Sequence, residues 1–155
     1  MSIMKKISVM GAALAMFVAS SAIAQDNKIF AGPTVGAGFG GGPTLGLNAG
    51  YEFHKYGRVE ATYDHMFMTS SWNVDNISGN LIGQIPTGTF VTPYALVGAG
   101  YQWQNGINQG VWNVGAGVRA EVTKNFDIDL RYRYIQGFWN QTNNNFVTIG
   151  TTFKF

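Results

Sequence analysis

The last ten residues alternate with period two. Val147, Ile149, Thr151, Phe153 and Phe155 fall on one side, and Phe146, Thr148, Gly150, Thr152 and Lys154 on the other. Side chains at i, i+2 and i+4 share a face only in a strand. About ten residues is also the length that a tilted strand needs to cross a bilayer. One face is apolar and ends on an aromatic; the other is mostly small or polar. That pattern suggests the closing strand of a membrane β-barrel, in which lipid-facing and lumen-facing positions alternate.

The beginning of the chain is consistent with export. Lys5 and Lys6 precede an apolar run from Ile7 to Val18, and Ala22-Ile23-Ala24 follows as a small-x-small cleavage pattern. Residues 1–24 are therefore expected to be a signal peptide, cleaved near Ala24, with 25–155 as the barrel domain. The alternative, an uncleaved anchor, is disfavoured because the run is short for a spanning helix. Without Lys5 and Lys6, eight basic residues face eight acidic ones. This balance gives no footing for nucleic acid as a partner. There is no cysteine, so stability must come from backbone pairing and packing. No later apolar run is long enough for a membrane helix, so a spanning structure must be a closed barrel.

Seven further segments alternate in the same way, namely Ala31–Phe39, Thr44–Phe53, Arg58–Met66, Ile77–Ile85, Pro93–Trp103, Val111–Val122 and Phe126–Ile135. With the terminal segment they predict an all-β, eight-stranded, antiparallel, up-and-down transmembrane β-barrel. Gly40–Pro43, His54–Gly57, Pro86–Gly88 and Thr123–Asn125 read as tight turns. Met68–Asp75, Gln104–Gln109 and Gln136–Asn144 read as longer polar loops, which in bacterial barrels face outward. Both termini then lie on the periplasmic side.

The apolar faces carry Val, Leu, Ile, Ala and aromatics, while the charges fall on the opposite faces. An Arg or Lys facing mid-membrane lipid costs about 2–4 kcal/mol. Glu52, Arg58, Glu60, Asp64, Arg119, Glu121, Asp127, Asp129, Arg131, Arg133 and Lys154 are therefore expected in the lumen. An eight-stranded barrel is only wide enough for side chains to fill it. These five cations and six anions predict a nearly neutral ion-pair network that plugs the interior, and buried charges need such partners. Arg131 and Arg133 have Glu121, or acids across the lumen, as candidate partners. Lys154 is expected at the periplasmic mouth, near the acid-rich start of the seventh segment. A narrow channel is the competing reading of the same network.

Phe53, Phe126, Phe153 and Phe155 fall at one end of their strands, and Trp103, Trp112, Tyr132 and Tyr134 near the other. Two such belts match the interfacial girdles of outer-membrane barrels. A soluble lipocalin-like barrel would place the apolar face inside and the charges outside.

The runs Pro93–Tyr101, Asn113–Val118, Asn125–Tyr134 and Val147–Phe155 resemble the small OmpA/OmpX-type outer-membrane barrels. The likeness is strongest over the last four strands. The resemblance implies residence in the outer membrane of a Gram-negative bacterium, with outer-membrane lipid as the surroundings. It also implies that Val147, Ile149, Thr151, Phe153 and Phe155 form the signal read by the outer-membrane assembly machinery. Adhesins of this family act through long protruding loops, and the loops here are about ten residues or fewer.

Catalysis finds little support. A hydrolase needs a nucleophile, a base and an orienting group within reach. His54 belongs to a turn. His65 has Asp64 beside it, but neighbours in a strand point to opposite faces. Ser70 and Ser71 follow, yet no His-x-Ser pairing of the lipid A deacylase kind occurs. Cysteine and zinc schemes lack ligands, and the glycines precede no helix, so they form no phosphate loop. The expectation is a monomeric, non-enzymatic envelope protein with no cofactor and no metal. A porin-like conduit is the alternative. A weaker one is a surface interaction protein using Ser70–Asp75 and Gly137–Asn144.

Overall fold

The computed structural model describes residues 28–39, 42–67, 73–104, 106–139 and 143–155. Residues 1–24, expected to be a signal peptide, Gly40-Gly41 and the serines Ser70 and Ser71 lie outside the described residues. The described residues form eight strands: β1 (Ile29–Phe39), β2 (Pro43–His54), β3 (Gly57–Phe67), β4 (Asn73–Gln84), β5 (Val91–Gln104), β6 (Ile107–Thr123), β7 (Phe126–Gly137) and β8 (Asn143–Lys154). Each pairs antiparallel with the next, and β8 returns to β1, so the sheet closes. Closure leaves no edge strand with unpaired backbone groups.

The period-two faces separate as expected. Val35, Leu45, Leu81, Val97, Leu130 and Ile149 are exposed on the outside, while the charged positions between such residues are buried inside. Aromatic pairs ring both ends. Phe126 and Phe153 lie 5.2 Å apart at the end bearing the chain termini, and Trp112 with Tyr134 (5.8 Å) and Tyr101 with Trp103 (5.1 Å) lie toward the other.

The strands are longer than the alternation alone indicated, and the polar loops are correspondingly shorter. Asn73, Val74 and Asp75 belong to β4, Gly137 to β7, and Asn143 and Asn144 to β8. The largest correction concerns Gln104–Gln109. Gln104 pairs directly with Ile107, leaving a two-residue turn whose Gly106 has φ 83°. Gly106 suits this position, because glycine adopts positive φ without steric cost. Conversely, the β4–β5 connection at the terminal end is the longer one there, spanning 85–90. It is folded on itself by Thr87 and Thr89, whose hydroxyls lie 2.6 Å apart. Loop length therefore does not sort the two ends of the barrel cleanly.

The β1–β8 seam depends on glycine. A Cβ at Gly32 would overlap the carbonyl oxygen of Thr151, and one at Gly36 would overlap that of Val147. Such close backbone approach is what lets a small sheet coil tightly enough to close. The tight β2–β3 and β6–β7 turns are each preceded by a register shift, between Glu52 and His54 and between Glu121 and Thr123. Bulges of this kind strengthen the local twist at barrel rims.

Candidate functional site

The lumen holds the concentration of chemistry, and three levels compose it. At the end bearing both termini, Glu52 accepts from Arg58 Nε at 2.6 Å, and Lys154 Nζ lies 3.0 Å from Asp127 and 3.3 Å from Glu121. Arg119 donates through both Nη atoms to Gln84 Oε1 at 2.9 Å and lies 3.7 Å from Asp127.

In the middle, Arg131 forks onto Glu60 across the barrel, at 2.6 and 3.0 Å, and also reaches Asp129 at 3.1 Å. Tyr94 donates to Asp129 and accepts from Arg131 Nε at 2.9 Å. One step toward the loop end, Arg133 pairs with Asp64 and donates to Thr62 at 3.0 Å. Glu60 and Asp64 sit on β3, and Arg131 and Arg133 on β7, four strands away around the eight-stranded ring. The acids of one wall therefore meet the cations of the opposite wall.

These groups are almost fully desolvated; the side chain of Arg133 is 2% exposed and that of Glu60 1%. Charges so placed survive only with close opposite partners and satisfied hydrogen bonds. Asn48 and Asn80 both donate to Glu60 (3.5 and 3.4 Å) and Asn76 donates to Asp64 (3.4 Å), spreading the negative charge over amide donors.

At the loop end the interior turns apolar. Met66, Val74, Val111, Ile135 and Phe146 form a buried cluster over the Arg133 level. A second apolar cluster, Ile82, Tyr94 and Leu96, fills one side nearer the terminal end.

The structure thus places ten of the eleven sequence-assigned lumen charges in one connected interior. Glu121 is the exception in character. It sits at the rim with its side chain 55% exposed, and it is Lys154 that it meets. Of the two partner sets considered for Arg131 and Arg133, the acids across the lumen are the ones in contact, because strands on opposite walls project toward the same axis. Sequence reasoning missed the aromatic platforms. Arg58 lies over Phe30 (4.6 Å), Arg119 and Arg131 over Tyr94 (5.5 and 5.4 Å), and Arg133 over Phe146 (4.6 Å). Each arginine face is covered by a ring while its edge serves an acid, a favourable use of the planar cation. The available signal was an aromatic at the inward parity of its strand.

A second polar group lies on the outer surface. Asp75, expected in a loop, stands on β4 directly opposite His65 on β3. It accepts from Tyr63 Oη at 2.7 Å and lies 2.6 Å from His65 Nδ1, buried to 3% exposure. The partner of His65 is thus the cross-strand acid, whereas Asp64 points inward to Arg133. Among the described residues no serine or threonine hydroxyl hydrogen-bonds to His65.

The model of the outer membrane protein beta-barrel domain matches residues 10–155. The chain belongs to this outer-membrane β-barrel family. Its members' fold is what the described residues show, and the OmpA/OmpX-like character read from the last four strands agrees with it. The chain resembles Neisserial surface protein A at 19% identity and TM-score 0.68, covering 82% of this chain and 96% of that one. It also resembles the N-terminal β-barrel domain of Pseudomonas aeruginosa OprF at 18% identity and TM-score 0.70, covering 84% and 98%. Ail, the attachment invasion locus protein of Yersinia pestis, aligns at 19% identity and TM-score 0.59, covering 83% and 97%. The outer membrane enzyme PagL aligns at 15% identity and TM-score 0.53, covering 81% and 97%. No curated protein matches by sequence. At these identities the structural likeness establishes the shared barrel and leaves activity to the residues themselves, since one scaffold carries many functions.

Proposed function

We propose that this barrel is a non-enzymatic, monomeric component of the outer membrane of a Gram-negative bacterium, with its lumen closed to solutes. The observation that carries the reading is the Arg131–Glu60 and Arg133–Asp64 ion pairs spanning the interior beneath the Met66–Phe146 apolar cap. Solute passage would have to break desolvated charge pairs, at several kcal/mol each. The end bearing the termini faces the periplasm after cleavage near Ala24. The phase of Val147, Ile149, Thr151, Phe153 and Phe155 supports their role as the strand read by the assembly machinery. Outer-membrane lipid covers the exposed apolar belt.

The scarcity of catalytic groups supports a non-enzymatic role even though the fold is shared with PagL. The reading rests on the sequence, which has no cysteine and no His-x-Ser pairing of the lipid A deacylase kind. Heat-modifiable migration of detergent-extracted outer-membrane fractions tests location and closure together. Planar-bilayer recording of the folded barrel tests the plug. The expected result is no steady conductance; large, steady conductance would favour the porin-like alternative and overturn the plug.

One observation favours the surface-interaction reading as a second role. Phe138 and Trp139 are exposed where β7 gives way to its loop, with Trp139 at 79%. Replacing 138–142 by a short turn and measuring adherence to host-cell or matrix surfaces tests it.

A further inference from the structure

The plug is not uniform along the barrel axis. At the end bearing the termini the interior opens into a cavity of about 200 Å³ between the Arg58–Glu52 pair, Arg119, Asp127 and Lys154. Its lining holds four cations (Lys55, Arg58, Arg119 and Lys154) against three acids (Glu52, Glu121 and Asp127). The lining therefore holds one more cation than it has acids, whereas the level beyond it holds three acids (Glu60, Asp64 and Asp129) against two cations (Arg131 and Arg133).

Arg58 shows where that surplus is presented. Its side chain is 94% buried by relative exposure of 6%, its face rests on Phe30, and only its Nε is committed, to Glu52. Among the described residues its two Nη atoms make no hydrogen bond, and the residue lines the cavity. Arg119 faces the same space, held in place by Gln84. Two guanidinium groups on one small cavity, one with uncommitted terminal donors, suit a planar or tetrahedral set of oxygens.

We propose that this vestibule is a binding site for a small oxyanion, a carboxylate or a phosphate, taken from the periplasmic side. Arg58 Nη1 and Nη2 donate to the ligand oxygens, and Lys55 supplies attraction at the mouth. One negative charge neutralises the excess, so binding needs no displacement of Glu52 or Asp127 from their existing partners.

The test is calorimetric titration of the folded, detergent-solubilised full-length barrel with inorganic phosphate and with acetate at low ionic strength. Heat-modifiable migration verifies folding of every variant. The Arg58→Gln/Glu52→Gln double variant removes the donors without changing the net charge of the cavity. The expected result is saturable binding of at least one anion, weakened about tenfold or more in the double variant, as loss of charge-assisted hydrogen bonds requires. Glu121→Gln, at the exposed rim, should tighten it by removing a like charge. Saturation by phosphate alone marks a tetrahedral site, and by acetate alone a planar one; either supports the proposal. Absence of saturable binding for both anions overturns it. So does unchanged affinity in the double variant, or displacement by equimolar chloride, which would reduce the effect to charge screening.

Discussion

Arg131 on β7 donates two hydrogen bonds to Glu60 on β3, at 2.6 and 3.0 Å, across the full width of the lumen. The fork ties together two strands that share no backbone hydrogen bonds. Backbone pairing holds each strand to its neighbours, and the β3–β7 contacts brace the ring against flattening. Tyr94, bonded to both Arg131 and Asp129, extends the brace to a third strand.

Removing both sides of this fork should cost less than the two single removals added together. Glu60→Gln and Arg131→Met each leave an unpaired, desolvated charge and are expected to cost about 3–5 kcal/mol. The combined variant should cost less than the sum, by about 0.5–3 kcal/mol. Urea unfolding of the micelle-bound barrel, followed by tryptophan fluorescence, measures all three. Additive costs would mean that the pair is not coupled.

At the β1–β8 seam, side-chain volume meets a neighbouring carbonyl. Gly32→Val and Gly36→Leu should prevent closure and abolish the heat-modifiable compact band. Gly79 faces open space on the outer surface, so Gly79→Ala should stay within about 0.5 kcal/mol of the parent. Equal behaviour of the three variants would refute the close-approach argument.

Tyr63 and Asp75 supply the next contrast. Tyr63→Phe removes one neutral donor to a buried carboxylate and should cost about 0.5–3 kcal/mol. Asp75→Leu, which replaces the acid by an apolar group on the outer surface, should be better tolerated than His65→Leu, which removes one partner of a buried acid. Thermal migration shifts on gels rank the three, and the reverse order would mean that His65 is not the partner that matters.

Phe155 follows Lys154, the last residue of β8, and its backbone N–H donates to Ile29 O at 2.8 Å. On the assembly role proposed for the terminal strand, Phe155→Ala should lower the amount of folded barrel recovered from outer membranes. Lys154→Gln should leave recovery near normal, while loosening Asp127, whose side chain is fully buried and lies 3.0 Å from Lys154 Nζ. Fractionation with quantitative blotting separates the two, and equal losses would argue against a specific role for the terminal aromatic.

Much of this architecture is legible without coordinates because a strand's faces are a local property. Val147, Ile149 and Phe153 alternate with Thr148, Gly150 and Lys154, and that alone assigns one set to lipid and the other to the lumen. Repeated eight times, the pattern leaves a closed barrel as the arrangement that satisfies every backbone group in a membrane. The limits of the strands were less legible. Polar residues such as Asn73, Asp75 and Asn108 read as loop, yet they continue the ladder where the barrel rises above the apolar belt and no longer needs greasy exteriors.

Partner choice was decided by the tertiary structure. Glu121 is close to Arg131 in sequence, but it pairs with Asp127 at the start of β7 while Arg131 pairs with Gly117, so Glu121 lies at the rim and Glu60 arrives from the far wall. Asp64 is next to His65 in the chain and meets Arg133 instead. Which charge faces which depends on strand tilt, stagger and closure, and these are set jointly by all eight strands. Local alternation determined that the charges go inside; the geometry of closure determined that they meet across the diameter, each arginine backed by an aromatic ring.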